Sequence, residues 1–111
     1  MSHTKLKNIE KASILNLADQ VECQPGQVVS KTLVQNEKVS LTLFAFDEGE
    51  EISSHASHGD ALVTVFSGSV RITLADKEHV LKSGQSIVMP AEVPHALTAL
   101  EPMKFILTVI F

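Results

Sequence analysis

Short alternating stretches separated by turn residues are the feature of this sequence that most limits its fold. From Val39 to Phe46 the odd positions are uniformly apolar, and the even positions become apolar towards the end. A period of two is typical of a β-strand that has one face in a core and the other partly covered. Residues 28–34 form the predicted partner strand, because Asn36 and Glu37 between the two runs favour a turn. A β-hairpin is therefore predicted here.

The same pattern repeats along the rest of the chain. Further strands are predicted at residues 62–66, 70–74, 79–81, 86–89 and 104–111, with turns at positions such as Gly68 and Gly84. Helix is predicted only as a turn or two within residues 8–15. Short strands at regular spacing favour an all-β sandwich or barrel. We expect residues 1–27 to form an N-terminal segment with a short strand, and residues 28–111 to form one β-barrel domain.

Composition and charge exclude several classes of protein. A hydrophobic content of 44% argues against a disordered chain. A net charge of −4 and a single arginine, Arg71, argue against a nucleic-acid partner. No apolar run approaches the ~20 residues of a membrane span, and the first residues lack the apolar stretch of a secretory signal. The one cysteine, Cys23, has no internal disulfide partner, so we expect a cytoplasmic protein.

Histidines are the main candidates for chemistry, and the chain has five: His3, His55, His58, His79 and His95. His3 is near the chain start and is assigned no role. His79 lies between charged neighbours, and we predict that it is solvated. His55 follows the acidic stretch 47–51, which we interpret as a solvated loop, and His95 follows a loop fenced by prolines.

Two spaced motifs around His55 and His95 resemble those of the cupin family. Gly49-x5-His55, followed by Gly68, is similar to the first cupin motif, and Gly84-x5-Pro90-x4-His95 is similar to the second. The resemblance covers residues 49 to about 99. It implies a single double-stranded β-helix, or jelly-roll barrel, with a pocket at its mouth. In this family the pocket often holds a divalent metal, for which Zn, Fe, Ni or Mn are the candidates.

The metal ligands that the resemblance implies are only partly present. The family pattern places its second histidine on Ser57 and its acidic ligand on Ala61, so His55 and His95 are the two retained ligand positions of four. Catalytic zinc usually takes three protein ligands, and facial-triad iron takes two histidines and a carboxylate. Two imidazoles alone are fewer protein ligands than these metal sites usually have.

Two neighbouring residues could change this conclusion. In a regular strand His58 points away from the face of His55 and lies on the rim. A bulge at Gly59 would re-aim it and complete a three-histidine site. For Asp60, after this glycine, we predict that the carboxylate accepts backbone N–H bonds at a turn rather than binding a metal.

Three functions stay open at this point. The first is a small ligand-binding cupin with no obligatory metal, its pocket formed by His55, Ser57, Ala61 and His95 and walled by odd-numbered strand residues. The second is a metal-dependent oxygenase or isomerase that uses His55, His58 and His95. The third is metal-free acid/base catalysis by a pocket histidine, since an ordinary pKa near ~6.5 suits proton transfer. In each case His55 and His95 are expected on neighbouring strands, about 4–6 Å apart.

A homodimer is the expected assembly. Phe44 and Phe46 share one face of their strand, and Leu41 and Leu43 share the other, so one apolar face must look outward. A twofold pair is the commonest way to bury such a face. The resemblance implies that the N-terminal segment sometimes crosses over to the partner.

Overall fold

Two antiparallel sheets face each other in the computed structural model, which describes residues 5–111. In chain order the strands are β1 (Val28–Gln35), β2 (Val39–Phe46), β3 (Glu51–His55), β4 (Asp60–Ser67), β5 (Ser69–Leu74), β6 (Lys77–Lys82), β7 (Ser86–Met89), β8 (His95–Ala99) and β9 (Met103–Ile110). The first sheet has the order β1-β2-β9-β4-β7 and the second β3-β8-β5-β6. This is the predicted jelly roll. No helix within the described residues is long and apolar enough to cross a membrane.

The predicted hairpin is β1 and β2, and Asn36 closes it. The Asn36 Oδ1 atom accepts hydrogen bonds from the backbone N–H of Lys38 at 2.8 Å and of Val39 at 3.0 Å. An asparagine side chain that bonds two residues ahead mimics a backbone turn. Hydrogen bonds between residues close in the sequence therefore stabilise the turn between β1 and β2.

The two faces of β2 pack in two different cores. Phe44 and Phe46 point between the sheets, opposite Phe105 and Met103 of β9, and belong to the main core. Leu43 and Ala45 point outward and pack in a second cluster with Val21. The prediction that odd-numbered residues wall the barrel interior is therefore wrong for β2. It fails because the N-terminal segment covers the outer face, so both faces of the strand are apolar.

The N-terminal segment is irregular. No strand lies within residues 5–27, and the expected helix at residues 8–15 is absent, since Asn8 and Ala12 have φ of 61° and 60°. A single 3-10 helix at Leu17–Gln20 stands in this segment instead. The Lys104 Nζ donates to the Ala18 carbonyl at 2.9 Å and fixes this helix on the outer face of β9. Packing on the barrel, rather than local propensity, shapes these residues.

The turn between β4 and β5 requires glycine. Gly68 has φ of 77°, and a Cβ there would lie 2.2 Å from the Pro102 carbonyl oxygen. Gly84, between β6 and β7, has φ of 86° but nothing within 4 Å of a Cβ. The two positions share a left-handed backbone and differ in the space around it.

We predict that Gly68→Ala lowers the unfolding free energy by about 2–4 kcal/mol, because backbone strain and a steric clash act together. The matched Gly84→Ala variant carries the backbone strain alone and should lose about 1–2 kcal/mol. Urea denaturation of both variants measures the difference. Equal losses would contradict a close approach of Pro102.

Candidate functional site

His55 and His95 are direct partners in the ladder between β3 and β8. The register runs from Ile52 opposite Leu97 to His55 opposite His95, so β3 contains one extra residue over this interval. Strand side chains alternate between faces, and a regular strand would turn His55 away from the face of Ile52. The bulge removes that mismatch and places both imidazoles on one face of the sheet.

The two imidazoles meet through their Nε2 atoms. The Nε2–Nε2 distance is 3.1 Å, and the ring centroids are 4.2 Å apart at 68°. The Nδ1 atom of His55 lies 3.0 Å from the Ser53 carbonyl oxygen, and that of His95 lies 3.3 Å from the Val93 carbonyl oxygen. Because a carbonyl only accepts, the Nδ1 atom of each ring is the one that donates, which in the neutral rings leaves a lone pair on each Nε2. Two acceptors therefore converge on one point.

Burial distinguishes the two histidines. His95 is 4% exposed, whereas His55 is open to solvent. Burial lowers the pKa of His95 below its ordinary value of 6.5, and the neighbouring His55 lowers it further, while the hydrogen bond to the Val93 carbonyl opposes both effects. His95 is thus held neutral, as expected for two imidazoles that share a site.

We predict that acidification lowers the unfolding free energy once the pH falls below about 6.5. The folded-state pKa of His95 is lowered, so the unfolded chain takes up this proton first. The stabilising contribution is present above the ordinary pKa and is lost as the pH falls towards the folded one. Its slope is at most about 1.4 kcal/mol per pH unit, the value for one proton. Denaturation between pH 8 and 5 should show a shallower slope in His95→Gln, and identical slopes would contradict the assignment.

Leu74 is an apolar neighbour of the pair, and Ala61 is the position of the family's acidic ligand. Leu74 on β5 lies directly across from His95 in the ladder. Ala61 is 2% exposed and points between the sheets, opposite Met89 and Val109. The position where the family pattern has a carboxylate is therefore an inward-facing methyl group. No acidic side chain enters the core from that position.

His58 does not join the pair. Its side chain is 91% exposed, and its Nδ1 atom lies 2.9 Å from the Glu92 Oε1. Glu92 has φ of 68°, a backbone conformation that is strained for a side-chain-bearing residue. Its backbone N–H donates to the Ser57 carbonyl at 2.8 Å. Glu92 thus ties the loop after β3 to the loop before β8 and holds His58 on the rim.

Ser57 and Asp60 stabilise these loops. The Ser57 hydroxyl accepts a hydrogen bond from the Gly59 N–H at 3.1 Å. The Asp60 Oδ1 accepts one from the Ala91 N–H at 2.8 Å, so it does accept a backbone N–H as predicted, but from a distant loop rather than within a local turn. Each side chain makes one loop contact, and within residues 5–111 Asp60 belongs to no group of three side chains that could hold a metal.

The donor set does not fit a three-ligand metal shell. At 3.1 Å, the two Nε2 atoms could both reach one ion at the usual ~2.0–2.1 Å. Within residues 5–111, however, no group of three His, Cys, Asp or Glu side chains is placed to hold a metal. The chemistry available from the described residues is that of two converging imidazole acceptors.

The other histidines fall outside this site. His79 is on β6 opposite Ile72, and it is half-buried rather than solvated as predicted. The prediction relied on the charged neighbours of His79 in the sequence. In the structure His79 and Leu81 share the inward face of their strand. His3 lies outside the described residues.

Comparison with known families agrees with this architecture. The model of the cupin domain family matches residues 42–111, a stretch that includes both histidines of the pair. The chain belongs to the cupin family. None of the curated proteins compared with this cupin matches it significantly.

Solved structures resemble this cupin over nearly its whole length. A conserved protein of unknown function from Streptococcus pyogenes is 42% identical, with a TM-score of 0.95 over 96% of this chain and 94% of that one. A cupin superfamily protein from Desulfitobacterium hafniense is 30% identical, with a TM-score of 0.93 over 97% and 99%. A cupin 2 conserved barrel domain protein from Leptotrichia buccalis is 39% identical, with a TM-score of 0.85 over 87% of this chain and 47% of that one.

Proposed function

We propose that this cupin binds a small molecule at the mouth of its barrel, with no obligatory metal. The observation that carries the proposal is the His55–His95 pair, in which two Nε2 acceptors meet at 3.1 Å while both Nδ1 atoms are engaged by backbone carbonyls. Two facing lone pairs at this distance repel each other unless a proton or a donor group lies between them. The pair is therefore prepared to receive a donor.

The chemistry of the pair favours a ligand with an acidic O–H or N–H group. Such a group donates to an Nε2 lone pair of the pair, and apolar neighbours such as Leu74 strengthen that hydrogen bond. Two partly exposed apolar side chains on the same sheet supply walls for the rest of the ligand: Ile52 on β3, and Leu74 opposite His95. Convergent polar groups within apolar walls are typical of small-molecule sites.

A screen of weakly acidic small molecules tests this proposal. The protein would carry ¹³C-labelled histidine, and ring resonances of all histidines would be followed as each compound is added. We expect ligands to shift His55 and His95 together and to leave an exposed imidazole such as His58 unchanged. The matched variant His58→Ala should bind the same compounds with unchanged affinity. Compounds that shift neither ring of the pair, or binding that needs His58, would contradict the proposal.

The absence of an obligatory metal is tested separately. Protein purified after growth in medium supplemented with Zn, Fe, Ni and Mn would be analysed for metal content. We expect well under one ion per chain, because only two protein ligands converge. A stoichiometric metal that disappears in the His55→Ala/His95→Ala double variant would instead support the metal-dependent oxygenase or isomerase.

Acid/base catalysis without a metal is a second candidate, and the unequal burial of the pair favours it. His95 is buried and its pKa is lowered, so it stays a neutral base near pH 7. The exposed His55 lies within hydrogen-bond distance and provides a route for the proton to solvent. An enzyme of this kind would lose turnover on acidification as His95 takes up its proton, whereas a pure binding protein has no turnover to measure.

We propose in addition that two copies pair through the outer face of the first sheet. The N-terminal segment covers one half of that face, while Leu62, Val88 and Ile110 on the other half are 39%, 53% and 57% exposed. A twofold pair would bury these residues. Light scattering at micromolar concentration should give about twice the 12.0 kDa of one chain. A mass of one chain would contradict the dimer; crossing of the N-terminal segment stays a prediction.

A further inference from the structure

A groove between β6 and β7 lies at the opposite sheet edge from the His pair. β6 pairs only with β5 and ends the second sheet, while β7 pairs only with β4 and ends the first. The two strands follow each other in the chain but share no ladder. The space between them is about 400 Å³ and is lined by His79, Val80, Leu81, Gln85, Ser86 and Ile87.

Both strands that flank the groove have an open backbone edge. Among the described residues, no turn, loop or cap hydrogen bond of the backbone involves residues 77–81 or 86–89. The edge of β1, by contrast, is used by the protein itself, since the Lys7 N–H donates to the Leu33 carbonyl at 2.7 Å and the Asn8 side chain to the Thr32 carbonyl at 2.8 Å. An open edge presents a row of N–H and C=O groups that fits another extended chain.

The side chains of the groove combine an apolar floor with an unpaired imidazole. Leu81 is 5% exposed, and Ile87 packs against the main core. His79 also lines the groove, and within residues 5–111 its imidazole makes no hydrogen bond. Apolar side chains of a docked strand would pack on the floor, and a polar group beside them would satisfy the imidazole.

The charge of the groove favours an acidic occupant. None of its six lining residues is acidic, although the chain carries 13 acidic side chains and a net charge of −4. Lys82 ends β6 beside the groove. At the other end Lys77 follows Asp76 in the sequence, and Arg71 lies 3.7 Å from Glu78, so these four side chains carry no net charge. A carboxylate near His79 and Lys82 would meet no opposing acidic group from the lining.

We propose that the groove binds an extended acidic peptide segment of another protein as an added β-strand. An extended chain offers a row of backbone N–H and C=O groups that matches an open strand edge, which favours a peptide over a compact small molecule. The site shares no residue with the His pair, so this inference is independent of the proposed function.

Nuclear magnetic resonance with a designed probe tests the inference. The probe is a capped heptapeptide of alternating valine and glutamate, titrated into the ¹⁵N-labelled full chain. We expect backbone amide shifts confined to residues 77–82 and 86–89. A control peptide of the same side chains with alternate backbone nitrogens methylated has lost donors of the added strand. It should bind at least about fivefold more weakly, as expected when strand hydrogen bonds carry the affinity.

The affinity of surface charge variants for the probe is a second measurement, and these exposed substitutions leave the core unchanged. Lys82→Glu should weaken binding of the glutamate probe, and the matched variant Lys38→Glu, in the distant β1–β2 turn, should not. A lysine-for-glutamate probe should bind more weakly to the unchanged protein. No shifts at millimolar probe, shifts elsewhere, or equal affinity for the methylated probe would overturn the proposal. Shifts at residues 77–82 that depend on protein concentration without probe would assign the groove to a second copy instead; residues 86–89 are not used for this test, because Val88 lies in the proposed dimer face.

Discussion

Phe105→Ala is expected to lower the unfolding free energy by about 3–5 kcal/mol, the usual loss for a large aromatic removed from a core. Phe105 is 1% exposed and lies at the centre of an aromatic group. Its ring stacks on Phe44 at 5.0 Å and meets Phe46 edge to face at 5.5 Å. Removing it leaves a cavity between the two sheets and ends both ring contacts. Each ring contact stabilises the fold in addition to the burial of apolar surface. Urea denaturation measures the loss.

Phe111→Ala is the matched control for this change. Phe111 is also a phenylalanine but is 53% exposed at the end of the chain. Its removal should change the unfolding free energy by less than about 0.5 kcal/mol, as is usual for surface positions. If the two variants lost similar stability, the aromatic group would not be the centre of the core.

The strands with a clear alternation could be predicted from the sequence, but their inner faces could not. In β4 the odd residues Val63 and Val65 are apolar and buried, and the interpretation is direct. In β2 both faces are apolar. Which face points between the sheets depends on the other elements that pack against each face. The outer cover is Val21 and its neighbours, some 20 residues earlier in the chain. Contacts this distant leave no periodic signal within the strand itself.

The strands that carry the candidate site were the ones that alternation did not reveal. β3 has the sequence Glu-Ile-Ser-Ser-His with only Ile52 as an apolar member, and it exists by pairing with β8. β8 did contain a signal, since His95, Leu97 and Ala99 alternate and are all buried, but the prolines before it favoured a loop. The cupin motifs located both histidines because the motifs are defined by the number of residues between glycine, proline and histidine. They do not depend on alternation of apolar and polar residues.

The direction of His58 could not be obtained from its neighbours in the sequence. The alternation of side chains along a regular strand predicted that His58 lies on the rim. The alternative was that a bulge at Gly59 turns His58 towards His55. In the structure the bulge precedes His55 instead, and His58 is held by Glu92, a residue 34 positions away. A contact of this separation depends on two loops meeting in space. The pair itself was expected on neighbouring strands, and its Nε2 atoms are closer than the expected separation, at 3.1 Å.

For any compound that shifts both rings of the pair, His95→Ala is expected to weaken binding by about 10- to 100-fold, the effect of losing one buried hydrogen bond. If the two imidazoles act as one acceptor, the His55→Ala/His95→Ala double variant should lose little more than the worse single variant. His58→Ala should leave affinity unchanged, since that side chain faces solvent and Glu92. Calorimetric titration of the four variants measures this. Fully additive losses would show that each imidazole binds separately, and the convergence of the two Nε2 atoms would then not be the basis of binding.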